Sequence, residues 1–510
     1  MILQFQCMKK IIFPFLIIFT PTLVSYAQNN SVAEFGNIAS GSINFKKQPI
    51  RDEKANSKPN VVVILIDDMG YADPSCFGNR VVKTPNIDAL AQQGIKFTNF
   101  YVNSPICSPS RVAFNTGCYP MRFKIHSYLD GSQENKRRAM ANYLDPGAPF
   151  LARVLKENGY ATGQFGKWHM GGGRDSGEVP YPSEYGFDKS LVSFEGIGDR
   201  VLFTKGGGSK QSAELGRGNI IWAEKHKSTG IYVDSALAFI ERIPSKPFYI
   251  NLCPNDVHDP HWPSDELLSK FKSASNNPFE QRFFAVLSEL DFQIGRFIKG
   301  LNRMGLLENT VIVFTSDNGP IDSPNYYNRE SYPEGYKGDL YPPGFTGNFY
   351  GRKWSLYEGG IRMPFIISWP GKIPENKTDS ITVLAAMDLF PSICSMLDIE
   401  YPKDIDGTDK SVALLGNPLD VKQPIMWEYS SNPGGSIQPG KKEHISPNLA
   451  IREGDWKLLI NTDSTNLMLF NLKNDPGETN NLVKKKSKKA QNMAAEVLAW
   501  RRSMPVEIPQ

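Results

Sequence analysis

Six cysteines in 510 residues are too few for a disulfide-dense scaffold, and their spacings match neither a zinc site nor a paired framework. Charge of one sign is scarce as well: Lys+Arg 57 against Asp+Glu 53 leaves +4, which does not argue for nucleic acid as a partner. No uninterrupted apolar run reaches the ~20 residues of a membrane span. Internal repeats are absent. What remains, with 40% hydrophobic and 22% charged residues, is a globular chain large enough for one big domain and a smaller one, which excludes a disordered or fibrous protein.

The first segment reads as a targeting signal. Lys9-Lys10 precede the apolar run Ile11 to Ile18, which is broken by Pro14 and followed by Pro21, and Ser25-Tyr26-Ala27 places small residues where a signal peptidase cuts. The expectation is a signal peptide over 1–27, export to the periplasm or beyond, and no membrane anchor. Met8 offers a second start. Cys7 leaves with the signal, and Cys76, Cys107, Cys118, Cys253 and Cys394 stay. Residues 28–58 are polar and read as a mobile leader.

From Pro59 the texture is that of an α/β domain. The β-branched run Val61 to Ile66 reads as a central strand covered on both faces, and short apolar runs recur at Tyr160 to Gly166, Pro247 to Leu252, Val311 to Ser316 and Pro364 to Ser368. Helical patterns lie between them: Ile87 to Gln93, Phe150 to Asn158, Tyr232 to Ile243, Arg282 to Met304 and Ala386 to Leu397. The alternation predicts a mixed, largely parallel sheet flanked by helices over 59–417. After Asn417 the runs become shorter and alternating, and a terminal helix follows from Ala490 to Arg502. They predict a smaller α+β subdomain with an antiparallel sheet over 418–510. The Lys484 to Lys489 run reads as a solvated face.

Chemistry concentrates in a few places. By composition a Cys-x-Pro is expected about 0.4 times in the chain, and requiring Ser and Arg as in Cys107-Ser108-Pro109-Ser110-Arg111 lowers this roughly a hundredfold. A free cysteine is most often a buried structural one. Here Pro109 and the segment to Thr116 fit a helix start, where backbone N–H groups favour an oxyanion. Asp67-Asp68 and Asp317-Asn318 each end a predicted strand, so a parallel sheet delivers both pairs to its carboxyl edge. A lone Asp-Asp usually sits in a turn; two such pairs offer only oxygen ligands, which suits a hard cation such as calcium. In Gly166-Lys167-Trp168-His169 the period of two puts Lys167 and His169 on one face.

Together these segments resemble the type I, formylglycine-dependent sulfatases of the alkaline phosphatase superfamily, in particular arylsulfatases and glycan sulfatases of the N-acetylgalactosamine-6-sulfatase kind. The resemblance runs from Pro59 nearly to the end, including Ile451 to Leu458 and Leu469 to Glu478. It implies a sulfuric ester hydrolase in which a formylglycine-generating or anaerobic sulfatase-maturating enzyme oxidises Cys107 to formylglycine. The hydrated aldehyde attacks sulfur. By the same resemblance Asp67, Asp68, Asp317, Asn318 and residue 107 are expected to bind Ca2+, and Arg111, Lys167 and Lys353 to neutralise sulfate, with Lys353 bridging sulfate and leaving oxygen. His169 assists the geminal diol.

His258 and His261 each precede an x-Pro; the resemblance, aligned without gaps from Pro247-Phe248, places His258 at the family's His-x-Pro position and so implies it is the acid, while an insertion of three residues would exchange the two roles. The expected substrate is a sulfated polysaccharide or oligosaccharide, with Asp259, His261, Trp262, Arg352 and Trp354 as candidate sugar contacts. Gly171 to Gln211 matches no subfamily pattern. Two other readings stay open: a phosphonate or phosphodiester hydrolase of the same superfamily, and a catalytically silent glycan-binding protein.

Overall fold

A computed structural model describes residues 58–505 apart from 172–178, 194–195, 206, 323–341 and 430–436. The expected signal peptide and almost all of the leader lie outside the described residues, as does part of Gly171 to Gln211. The β-branched run forms β1 (Asn60–Ile66), with every residue buried. Its side chains alternate between two apolar layers. Val61, Val63 and Leu65 pack into one core with Phe114, Leu151 and Phe365, while Val62, Ile64 and Ile66 pack into the other with Leu290, Ile294 and Phe297. That two-sided cover is why the run is continuous rather than alternating.

Among the described residues, ten further strands complete this sheet: β2 (Gly94–Tyr101), β3 (Ala161–Lys167), β4 (Lys189–Ser193), β5 (Arg200–Phe203), β6 (Ile220–Ala223), β7 (Phe248–Cys253), β8 (Thr310–Ser316), β9 (Arg362–Ser368), β10 (Lys377–Asp379) and β11 (Leu384–Ala385). The order is β10-β2-β9-β8-β1-β7-β3-β4-β5-β6, with β11 also on β2. From β8 to β6 all neighbours are parallel; β9 runs antiparallel to both β8 and β2. Pro364 sits inside β9, and the β2–β9 register shifts between Phe97 and Phe100, the place where a residue without an N–H fits a ladder.

The helix Pro278–Arg303 covers one face. Asn277 caps it by accepting from Phe279 N, and Pro278 opens its first turn. Leu290 is fully buried on its apolar stripe, so Leu290→Ala would cost about 2–5 kcal/mol by the usual cavity penalty. The four-stranded antiparallel sheet is separate: β12 (Ile425–Glu428), β13 (Leu449–Glu453), β14 (Trp456–Ile460) and β15 (Met468–Asn471). Its Lys457 is fully buried and bonds Glu358 and Glu478, each at 2.9 Å. Removing one member of such a buried ionic set costs about 3–5 kcal/mol.

Candidate active site

The register of β1 and β8 builds the first part of the site. Ile66 pairs with Ser316, so Asp67 and Asp317 leave the sheet side by side, and Asp317 N donates to Ile66 O at 3.0 Å. Asp68 then turns into the left-handed region at φ 60, a conformation that aspartate tolerates better than most residues. The turn lets Asp68 N donate to Asp317 Oδ1 at 3.2 Å while its carboxylate points elsewhere.

A helix starting at Cys107 brings in the second part. It spans Cys107–Thr116, and all ten of its residues are buried. Arg111 lies one turn on from Cys107, the spacing that shares a helix face. Its guanidinium donates to Asp317 Oδ2 through Nε at 2.9 Å, with Nη2 2.7 Å from the same oxygen, and reaches Lys167 O through Nη1 at 2.9 Å.

Lys167 is the last residue of β3, and its Nζ holds both Asp67 oxygens at 2.8 Å. Gly166 before it is irreplaceable by geometry. A Cβ there would stand 1.9 Å from Cys253 O, and its φ is +104. Lys353 enters from the far side, its backbone N on Pro320 O at 3.0 Å, and its Nζ holds the Asp68 oxygens at 2.6 and 2.7 Å. Three carboxylates thus face three cations in a buried cluster. Burial alone would raise the Asp67 and Asp68 carboxyls, but Lys167 beside Asp67 and Lys353 beside Asp68 hold both below the usual carboxylate range.

The Cys107 thiol donates toward Asp67 Oδ1 at 3.6 Å and Asp68 Oδ1 at 3.8 Å, and Lys353 Nζ approaches its sulfur at 3.5 Å. Burial pushes the thiol up to about 12, against the pull of both lysines. A nucleophilic cysteine needs the opposite shift. As a thiol, residue 107 is a poor nucleophile; its sulfur marks where an oxygen of a modified side chain would stand.

Of the two candidate histidines, His258 faces this cluster and His261 does not. His258 Nε2 is 3.6 Å from Asp68 Oδ2, and its Nδ1–H donates to Asp259 O at 2.6 Å. Atoms of Asp67, Asp68, Cys107 and His258 lie within 4.8 Å of one another. Burial lowers His258 to about 4 despite the two aspartates. His261 donates instead from Nε2 to Val257 O at 2.8 Å and packs edge-on against Phe283. Burial takes it down to about 3.

Several other expectations need revision. His169 does not continue β3 on the face of Lys167: the strand ends at Lys167 and His169 adopts φ 56, so strand periodicity does not apply. Its Nε2 donates to Leu129 O at 3.1 Å, leaving Nδ1 as the basic nitrogen; burial and the neighbouring Lys167 keep the ring neutral. Leu129 N in turn donates to Ser108 Oγ at 2.9 Å, which ties His169 to the helix that carries Cys107. Arg352, expected at the sugar, spends its guanidinium on the carbonyls of Ile321, Gly344, Pro342 and Pro343. It braces a loop. Trp354 and His261 are buried, whereas Trp262 is half-buried at the wall of a cleft. Sequence reasoning missed Lys225, whose Nζ donates to His258 O at 2.7 Å and Asp256 Oδ1 at 3.1 Å. Within Lys225-His226-Lys227 no local signal separates it from a solvated charge.

The donor set fits a hard divalent cation. Asn318 Nδ2 donates to Asp68 Oδ1 at 2.7 Å and to Gly319 O, while its buried Oδ1 accepts no hydrogen bond. Such an orphaned acceptor beside three carboxylates is a ligand oxygen in waiting. Were Cys107 to stay a thiol, sulfur and imidazole would shift the set toward zinc.

Known proteins resemble most of the chain. The sulfatase family model matches residues 59–399, and a model of the C-terminal part of N-sulphoglucosamine sulphohydrolase matches 347–502. The N-acetylgalactosamine-6-O-sulfatase of Bacteroides thetaiotaomicron is 30% identical over 491 residues, covering 85% of this chain and 91% of that protein. Human arylsulfatase A is 28% identical, with 83% of each chain covered. The crystal structure of Ps i-CgsB in complex with k-i-k-neocarrahexaose superposes with a TM-score of 0.70 at 26% identity, covering 88% of this chain and 94% of that one. With its mixed sheet and the family match over most of its length, the chain belongs to the sulfatase family and is a sulfuric ester hydrolase.

Proposed function

We propose that this is an exported sulfatase acting on sulfated polysaccharides or oligosaccharides, with formylglycine at position 107 and calcium among Asp67, Asp68, Asp317 and Asn318. The carrying observation is the burial together of Cys107, three carboxylates, three cations and His258, in which the thiol is pushed up to about 12 and so is unfit to attack by itself. A relative named as an N-acetylgalactosamine-6-O-sulfatase and a structural neighbour holding a neocarrahexaose support the glycan substrate. Residues 1–27 direct export, 59–417 form the catalytic domain and 418–510 the C-terminal subdomain. A formylglycine-generating or anaerobic sulfatase-maturating enzyme converts Cys107.

A sulfate monoester carries oxygens that grow more negative and an alkoxide that leaves badly, so the site needs cations, a nucleophile and an acid. Bound calcium would neutralise charge on sulfate and on the hydrated residue 107. Formylglycine at position 107, when hydrated, would supply one hydroxyl as the nucleophile and a second whose loss of a proton would let sulfate leave. Lys167 and Lys353 direct their charge to sulfate oxygens, and Arg111 holds Asp317 in place. His258 gives its Nε2 proton to the departing sugar oxygen; the sulfate anion beside it raises a proton affinity that burial, with Lys353 and Lys167, holds low. His169 takes the diol proton at Nδ1.

The test combines a turnover assay on a panel of sulfated glycans and phosphate esters with the mass of the tryptic peptide that carries residue 107. Active protein should show that peptide about 18 Da lighter than its cysteine form. Full activity with cysteine at 107, or faster turnover of phosphate or phosphonate esters, would sink the reading.

A further inference from the structure

Under the proposed function, sulfate is handled where β1, β3, β7 and β8 end. Strands β4, β5 and β6 continue parallel from β3, so their carboxyl ends open on the same edge of the sheet. Beyond β5 and β6 lies a cleft of about 230 Å³, lined in part by Thr204, Lys205, Glu224, Lys225, Trp262 and Asp265. It adjoins the reaction centre through two links. Trp262 belongs to the same loop as His258, and Lys225 bonds the His258 carbonyl at 2.7 Å.

The volume is below the roughly 300–1,000 Å³ of pockets that enclose drug-sized ligands, which limits the occupant to about one ring. Positive and negative side chains balance on the lining. Glu224 takes Lys227 at 2.8 Å and His226 at 3.8 Å, and Lys225 takes Asp256 at 3.1 Å. Lys205 and Asp265, both on the wall, have opposite signs. A second anionic group would find little net attraction here. A half-buried indole flanked by paired donors and acceptors suits instead the apolar face and hydroxyl rim of a neutral pyranose.

We infer that this cleft binds the sugar next to the sulfated one, that this neighbour is a neutral pyranose, and that Trp262 is its platform. The inference rests on the glycan reading and names the substrate's second residue.

The experiment compares kcat/KM on nitrophenyl sulfate, on the best sulfated monosaccharide of the panel, and on that monosaccharide linked to either a neutral hexose or a uronate. Wild type should prefer the neutral disaccharide over the monosaccharide by about tenfold, the scale of one aromatic contact. Trp262→Ala should collapse that ratio toward one, and Trp262→Phe should recover most of it, which a purely structural tryptophan would not do. An unchanged ratio in Trp262→Ala, or a preference for the uronate, overturns the subsite and leaves the glycan reading standing. If Trp262→Ala fails to fold, the ratio in Trp262→Leu decides: a bulky side chain without an aromatic face should lose the preference, and a wild-type ratio there overturns the subsite. Turnover of nitrophenyl sulfate with no sulfated sugar accepted overturns the glycan reading and the subsite together.

Discussion

Replacing His258 with alanine should damage cleavage of sugar sulfates far more than cleavage of an activated aryl sulfate. The reason lies in what the ring touches. His258 Nε2 faces Asp68 Oδ2 at 3.6 Å, but Asp68 keeps two contacts to Lys353 and one to Asn318 when the ring is removed. The cluster therefore stays assembled, and the loss falls on proton transfer. A positioned acid is worth about 10²–10⁴-fold, or roughly 2.7–5.5 kcal/mol in activation free energy. A nitrophenolate leaves without help, so most of that loss should vanish on nitrophenyl sulfate. Burial sets the free-enzyme ring at about 4, below its ordinary value, so the acid must gain its proton as the sulfate anion arrives. The basic limb of the kcat profile on a sugar sulfate should then lie well above pH 4, and it should disappear in His258→Ala. His261→Ala is the control: it strands Val257 O and removes the ring packed on Phe283, which should lower stability by about 1–3 kcal/mol without dependence on the leaving group. The measurement is kcat for both variants on both substrates, after folding and formylglycine content are verified. A leaving-group-dependent loss in His261→Ala, with none in His258→Ala, would refute the assignment.

The centre of the sheet is legible in the sequence because β1 and β8 are fully buried and bear continuous apolar runs, so their ends, and with them Asp67 and Asp317, follow from the pattern alone. The edge is harder. Strands β4, β5 and β6 have four or five residues each, the first two within the unusual Gly171 to Gln211 segment and β6 just after it, where local pattern is weak and pairing is decided by neighbours far along the chain. The same limit applies to single side chains. Lys167 and Lys353 emerge only by resemblance, because nothing in composition separates a lysine buried on a carboxylate from a solvated one. Arg352 and Lys225 show the error in both directions. Arg352 reads as functional beside Lys353, yet its guanidinium bonds backbone carbonyls; Lys225 draws no notice in the sequence, yet it holds the loop of His258.

Chelation should abolish activity and calcium restore it, since Asp67, Asp68, Asp317 and the orphaned Asn318 Oδ1 are all oxygen donors; tightly bound zinc with no recovery by calcium would count against that set. Lys167→Ala and Lys353→Ala should each lower kcat by about 10²-fold or more, the scale of a cation facing developing charge, and wild-type rates in both would place the lysines outside the reaction. Lys225 poses a subtler case, because its bonds go to the His258 carbonyl and to Asp256 rather than to a reacting atom. Lys225→Met strands Asp256, which is buried and retains Thr229 as a partner at 2.7 Å, so stability should fall by about 3–5 kcal/mol as for any broken buried pair. That loss alone would not reveal positioning. The discriminating readout is the leaving-group dependence: a loosened His258 should reduce kcat on the sugar sulfate more than on nitrophenyl sulfate, in the same sense as His258→Ala but to a smaller degree. Lys225→Arg keeps the charge and a donor to the carbonyl, and it should recover part of that difference. Equal losses on both substrates, scaling only with the fraction of folded protein, would reduce Lys225 to a structural residue.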